Sequence, residues 1–242
     1  MTVVLVAGAA GRLGSAIVAA LRARDAQLVL ADADAASLER VRDGSLAVPT
    51  DLRDGEQVEA LVARAVDAFG AVDAVVNAAG TEGRLAPLED VSADELVQLY
   101  DVNLFGPFRL LKAVLPQFKA RRAGRIVNVA SGAGLAGTEY AAAYSSSKHA
   151  LVGLTRSLAR EVARYGISAN AVCPGCVDSP MMERIERGLE AITGTKASFV
   201  DTIPAGRYGS PGEVAGLVSY LALDAPPYLT GAALVIDGAL RA

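Results

Sequence analysis

The sequence predicts an α/β fold, a doubly wound parallel sheet of about seven strands with helices on both faces. Two observations carry this. Apolar runs of four to six residues alternate with longer runs of helical period, the order of a strand–helix–strand chain. The apolar runs are also continuous, without polar residues at every second position, so each strand is expected to be buried on both faces, as parallel strands are. A length of 242 residues suits one such domain. With no Pro/Gly/Ser-rich linker, no repeat and no low-complexity tract, residues 1–242 read as a single domain.

Composition narrows the function classes. At 52% hydrophobic residues the chain is too apolar for disorder. A net charge of −4 with no Lys/Arg block argues against nucleic acid or an anionic membrane as partner. The apolar start lacks a positive n-region and ends at Gly11-Arg12, so it reads as a strand and not as a leader. No uncharged stretch approaches the length of a membrane span. A cytoplasmic protein acting on a small molecule is expected.

In chain order, strands are predicted at Val3–Ala7, Gln27–Ala31, Ser45–Pro49, Ala74–Asn77, Arg125–Ala130, Ser168–Cys173 and Ala233–Ile236. Helices are predicted near Arg12–Arg24, Ala35–Asp43, Gly55–Phe69, Ser92–Lys119, Ala143–Arg164 and Pro211–Leu223. The first strand runs into Gly8-Ala9-Ala10-Gly11-Arg12-Leu13-Gly14. Glycines there permit a tight turn and close approach of backbone to a pyrophosphate, and the following helix start offers free N–H groups and a positive dipole end. This is the Rossmann-like arrangement. Asp32 ends the second strand, where a carboxylate accepts hydrogen bonds from an adenosine ribose and repels a ribose phosphate. It therefore favours NAD(H) over NADP(H), with Arg12 as the counter-indication, since a guanidinium can pair with a phosphate.

Asp51, followed by Leu52 after the third strand, reads either as an adenine contact or as a helix N-cap, with Asp54 a competing cap. Asn77-Ala78-Ala79-Gly80 ends the fourth strand with residues small enough for a cofactor to pass, though a plain turn reads the same way. Residues from Pro174 to about Gly209 break the strand–helix alternation. They leave the carboxyl edge of the sheet, where ligands bind, and read as a lid or as a surface excursion. Cys173 and Cys176 have redox-pair spacing, but no helix starts on the first cysteine. With His149 the only histidine, no metal site is expected.

The densest polar stretch is Ser131 to Lys148. Ser131 follows a strand, and Tyr144 and Lys148 are four residues apart, on one face of a helix. Any Tyr-x-x-x-Lys can be an ordinary helix pair. Here Gly8–Gly14, Asn77–Gly80, Ser131, Tyr144-Ser145-Ser146-Ser147-Lys148, Pro174-Gly175, Tyr228-Leu229-Thr230-Gly231 and Ile236-Asp237-Gly238 occur together and in order.

In this set the chain resembles the short-chain dehydrogenase/reductases over nearly its whole length. The resemblance implies that Tyr144 is the catalytic acid/base and that Lys148 lowers the tyrosine pKa and holds the nicotinamide ribose. It implies that Ser131 binds the substrate oxygen, and that Asn103 anchors a water in a proton relay. It places Pro174, Gly175, Val177 and Ser179 at the nicotinamide end. The chain departs from the usual pattern at Arg12, at Ala78 in place of a second Asn, and at Ser179 in place of Thr. Cys173 to Met181 and Ala205 to Gly209 look like 3-oxoacyl thioester and polyketide ketoreductases, and cyclic-alcohol dehydrogenases are similar.

A Lys148 charge about 5 Å from the phenol, at an effective dielectric of about 20, is expected to lower the Tyr144 pKa by roughly 2 units. Ala133, Glu139, Tyr140, Gly175 and Met181 are expected beside the substrate, with Glu139 and Tyr140 setting its identity. The expected reaction interconverts a secondary alcohol and a ketone. The competing reading is a non-catalytic NAD-binding sensor, against which the intact Ser131, Tyr144 and Lys148 argue. Spare apolar surface on the helices at Ser92–Lys119 and Ala143–Arg164 suggests a homo-oligomer, and the resemblance makes it a tetramer.

Overall fold

In the computed structural model, which describes residues 1–242, β1 (Val3–Ala7) sends Val3, Leu5 and Ala7 to one face of the sheet and Val4 and Val6 to the other. Both sets are buried, which is why the run is apolar at every position. β2 (Gln27–Asp32), β3 (Leu46–Pro49), β4 (Ala74–Asn77), β5 (Gly124–Val129), β6 (Ile167–Pro174) and β7 (Ala233–Ile236) join it in a seven-stranded parallel sheet of order β3-β2-β1-β4-β5-β6-β7. The winding reverses between β1 and β4, and loops diverging there leave a crevice beyond the carboxyl ends of the strands.

Helices α1 (Arg12–Arg22), α2 (Ala35–Val41) and α8 (Pro211–Leu223) cover one face through Ile17, Leu21, Leu38, Val214, Val218 and Leu221. Helices α3 (Gly55–Phe69), α5 (Gly106–Arg121) and α6 (Ala142–Val162) cover the other through Leu61, Leu110, Val114, Phe118, Leu158 and Val162. Each such side chain contributes about 1.5–3 kcal/mol on burial.

Two segments differ from the sequence reading. The helix expected over Ser92–Lys119 is broken. Ser92 caps α4 (Ala93–Tyr100) in a capping box with Glu95, a π-turn follows at Asp101–Phe105, and α5 then begins with Pro107 in its first turn. Pro107 has no N–H to give the carbonyl four residues back, that of Asn103, and the widened turn absorbs the mismatch. Residues 174–209 are not irregular throughout. Ser179 accepts a hydrogen bond from Met182 N and caps α7 (Pro180–Thr193), with Pro180 at its first position. A parallel bridge between Val177 and Gly209 pins the two ends of this excursion together. No helix is long and apolar enough to cross a membrane.

Candidate active site

The turn after β1 is built by two glycines that nothing else can replace. Gly8 has φ +77°, and a Cβ there would lie 2.4 Å from Ala79 N. A Cβ on Gly14 would lie 1.9 Å from the Gly8 carbonyl oxygen. Gly11 is different, since its Cβ would meet nothing closer than 3.5 Å, and it opens onto the crevice. It also begins α1 without a side-chain cap or an acidic residue in the first turn, so the free N–H groups face an uncompensated positive end.

The Asp32 carboxylate is fixed by two backbone donors, Ala10 N at 2.9 Å and Asp34 N at 3.1 Å. It shares one segment of the crevice, about 430 Å³, with Gly8, Gly11, Asp51, Leu52, Ala78, Ala79, Gly80 and Val102. Asp54, not Asp51, caps α3, accepting from Glu56 N and Gln57 N. Asp51 pairs with Arg53 at 2.6 Å, and that hydrogen-bonded guanidinium holds its carboxyl below the usual range.

The second segment, about 500 Å³, runs from Gly11, Arg12, Leu13 and Gly14 past Ala78 and Gly80 to Ser131, Ala133, Tyr144 and Lys148, and is closed by Pro174, Gly175, Val177, Ser179 and Met181. Ser131 ends β5's extension, and its Oγ accepts a hydrogen bond from Ala133 N at 3.1 Å. Lys148 is buried, donates to the Val129 carbonyl at 3.1 Å and lies 5.8 Å from the centre of the Tyr144 ring.

Burial pushes the Lys148 ammonium down to about 8. The Tyr144 phenol moves up, contrary to the expected lowering. Burial dominates, the Ser131 hydroxyl opposes it, and the Glu82 carboxylate reinforces it. The sequence reading counted the Lys148 charge but neither the desolvation nor Glu82.

Asn103 is fully buried in the π-turn. Its Oδ1 accepts from Thr81 N at 2.9 Å, while Nδ2 donates to the Thr81 carbonyl at 2.9 Å and to Ser147 Oγ at 3.0 Å. Ser147 Oγ in turn donates to the Tyr144 carbonyl at 2.8 Å. The amide thus ties the strand-end loop to the helix that carries Tyr144 and Lys148.

A family model described as Enoyl-(Acyl carrier protein) reductase matches residues 8–240. The chain is 44% identical over 199 residues, 78% of this chain and 75% of the relative, to a monensin polyketide synthase putative ketoacyl reductase of Streptomyces virginiae. It is 36% identical to the levodione reductase of Leifsonia aquatica over 98% of this chain and 92% of that one. The crystal structure of a levodione reductase matches with a TM-score of 0.93 at 35% identity, covering 98% of this chain and 96% of that one. NAD+-bound xylitol dehydrogenase matches with a TM-score of 0.91 at 34% identity, covering 98% of each chain. The chain belongs to the short-chain dehydrogenase/reductase family. It is an oxidoreductase that works with a nicotinamide cofactor.

This short-chain dehydrogenase/reductase does not gather every residue singled out in its sequence. Asn77 lines neither segment. Its amide is buried in the sheet and donates to Asn128 Oδ1 at 2.6 Å, and Asn128 continues to Thr155 Oγ1 at 2.8 Å. Glu139 and Tyr140 also stand off the crevice, which is lined instead by Thr138 and Ala141. The reason is local: Tyr140 adopts left-handed backbone (φ +58°), with its carbonyl tied to Ala86 N at 2.9 Å, and the chain turns Glu139 outward to solvent.

His149 is exposed, with its ring against the Ser145 carbonyl. Cys173 is buried and Cys176 half-buried, and burial pushes both thiols up, away from the reactive thiolate of a redox pair. The sequence reading missed Glu82 and Leu85, which line the crevice with Ile185 and Phe199 of the excursion. Glu82 carried a signal, since an acidic residue in the loop that follows the β4 strand end lies at the ligand edge of such a sheet.

Proposed function

We propose that this enzyme interconverts a secondary alcohol and a ketone, with NAD(H) preferred over NADP(H) and Tyr144 as general acid/base. The observation that carries this reading is the convergence of the Ser131 and Tyr144 side chains in one crevice with Lys148 buried behind them. The residues present fit a nicotinamide dinucleotide: Gly8 and Gly14 shape its turn, Gly11 leaves a cradle that a Cβ would narrow, and α1 offers uncapped N–H groups. Asp32, held by two amides, supports this preference, since a carboxylate accepts from a ribose diol and repels a ribose phosphate. Asp51 and Leu52 border the adenine end, and Pro174, Gly175, Val177 and Ser179 the nicotinamide end. When bound, the cofactor carries the hydride.

The chain's own groups handle the oxygen. Ser131 Oγ donates to the substrate oxygen and fixes it. Tyr144 gives that oxygen its proton in reduction and removes it in oxidation. Desolvation keeps the phenol protonated, the form that reduction uses. Lys148 holds the ribose end and returns charge to the phenol when it is protonated, and Asn103 keeps the helix and the Thr81 loop in register.

Ala133, Met181, Met182, Ile185, Leu85 and Phe199 make the substrate walls apolar. That suits a 3-oxoacyl thioester or a cyclic ketone, a reading supported by relatives named ketoacyl reductase and levodione reductase. Residues 174–209 act as the lid. A cofactor-oxidation panel across 3-oxoacyl thioesters and cyclic ketones tests the reading. Tyr144→Phe is expected to lower kcat at least 100-fold with NAD binding retained. Near-normal turnover in that variant overturns the mechanism.

Two separate apolar surfaces support a homotetramer. Leu96, Val97, Phe105 and Phe108 are exposed along α4 and α5, and Tyr220, Tyr228 and Val235 around α8 and β7. Two self-complementary patches on one chain generate a closed tetramer. The free thiols of Cys173 and Cys176 suit a reducing cytoplasm.

A further inference from the structure

The walls at the reaction end of the crevice are largely apolar, yet one ion pair is set among them. The Glu82 side chain is only 7% exposed. Arg184 of α7 meets it in a two-point contact, Nε with Oε1 at 2.5 Å and Nη2 with Oε2 at 3.2 Å. Both residues line the same segment as Ser131 and Tyr144. Such a pair contributes little to stability, because burying the two charges costs about what their attraction returns. Nor does α7 depend on it: Ser179 caps the helix, Val177 bridges to Gly209, and a Cβ on Gly188 would lie 3.3 Å from Leu85 Cδ1.

What the pair leaves free is more informative. Glu82 takes the Nε hydrogen and one of those on Nη2. Arg184 is bonded to no other protein acceptor, so Nη1 and the second Nη2 hydrogen remain for a ligand in the crevice. We propose that Arg184, anchored by Glu82, is a specificity-determining residue that donates a hydrogen bond to a second, neutral oxygen of the substrate. The enzyme then selects diketones and hydroxyketones over simple ketones. This rests on the reading that Ser131 and Tyr144 hold the reacting oxygen.

The charge of the pair sets the ligand class. The Glu82 carboxylate cancels the guanidinium charge, so an anionic group gains little there, whereas a carbonyl or hydroxyl oxygen still accepts a charge-assisted hydrogen bond. Glu82 also fixes the guanidinium in advance, so little side-chain freedom is lost on binding. The anchor is held at a set span from the reacting groups. Thr81, next to Glu82, is bonded through its N–H and its carbonyl to Asn103, which also donates to Ser147 Oγ, and Ser147 Oγ donates to the Tyr144 carbonyl. Neighbouring cations are engaged or stand elsewhere. Arg84 pairs with Glu95 at 2.7 Å and Arg187 faces Glu183 at 3.8 Å. Lys148 is bonded to the Val129 carbonyl, and Arg241 lies against Gly132, where a Cβ would be 2.8 Å from its Nε. A 3-oxoacyl thioester carries the required oxygen in its thioester carbonyl. A cyclic ketone carries it when the ring bears a further carbonyl or hydroxyl.

The test is steady-state kinetics with NADH on three pairs: cyclohexane-1,4-dione and cyclohexanone, hexane-2,5-dione and hexan-2-one, butane-2,3-dione and butan-2-one. In Arg184→Met the ratio of kcat/KM for a diketone to that for its monoketone is expected to fall by about tenfold or more in at least one pair, through KM more than kcat. Comparing this ratio between proteins cancels the intrinsic reactivity of a diketone, and a purely structural lesion lowers both members and leaves the ratio alone. Arg184→Met strands the buried Glu82 charge, so Glu82→Gln/Arg184→Met, which removes both charges, is read beside it and is expected to show the same fall. Unchanged ratios in all three pairs overturn the role of Arg184 and leave the Tyr144 reading standing. Absence of turnover with every ketone in the parent protein overturns that reading, and this inference with it.

Discussion

Lys148 is buried with one hydrogen-bond partner, the Val129 carbonyl, and carries a charge that water no longer solvates. Its value of about 8, against an ordinary 10.5, fixes the sign of its effect on stability. Below pH 8 the ammonium is charged in both folded and unfolded chains, and the folded state bears the desolvation cost in full. Between pH 8 and 10.5 the folded chain releases the proton first and the cost disappears. Lys148→Met is therefore expected to be more stable than the parent at pH 7, by roughly 3 kcal/mol without cofactor. The gap should close towards pH 10, as urea unfolding at several pH values would measure. At this scale the sequence pointed to three side chains that line one crevice, because Ser131, Tyr144 and Lys148 have a fixed spacing on a strand end and a helix. It did not reveal that burial outweighs the Lys148 charge at Tyr144, since desolvation depends on neighbours far away in the chain.

The strand positions could be read because each is mostly apolar on both faces, and the first turn because its glycines stand between a strand and a helix. Gly14→Ala places a Cβ on the Gly8 carbonyl, so β1 and α1 must part. The dissociation constant for NAD, followed by cofactor fluorescence, is expected to rise at least tenfold while the circular dichroism of the sheet and helices persists. The break between α4 and α5 was present in the sequence as Gly106-Pro107 inside an otherwise helical pattern. Periodicity alone passes over it, because a π-turn keeps the apolar face nearly in phase. Glu139 and Tyr140 were misplaced for the converse reason: no periodic signal announces a left-handed residue such as Tyr140. The helix α7 was signalled by Ser179-Pro180 and masked by the mixed charges that follow it.

The whole molecule is an all-parallel sheet whose functional groups arrive from nearly every loop between Gly8 and Arg241. Its layering was legible because buried parallel strands have one composition, whereas the particular apolar residues left exposed, such as Phe108 and Tyr228, were not, since they read like core until the fold is known. Phe108→Glu puts a charge in the exposed surface of α5 and, if the proposed tetramer forms through that surface, is expected to give a smaller species by light scattering, with the monomer fold kept.

The excursion at residues 174–209 has a further consequence for the intact protein. Beyond α7 the chain passes through Thr193, Gly194, Thr195 and Lys196, all exposed, with Gly194 in left-handed backbone, while the bridge between Val177 and Gly209 holds both ends in place. Trypsin is expected to make its first cut after Lys196. The nicked protein should still migrate as one particle and bind NAD, yet reduce ketones poorly, because the cut severs the C-terminal tether of the helix that brings Met181, Met182 and Ile185 to the crevice. Gel filtration and cofactor binding before and after digestion would show whether hydride carrier and substrate are governed by separable parts of one covalent chain.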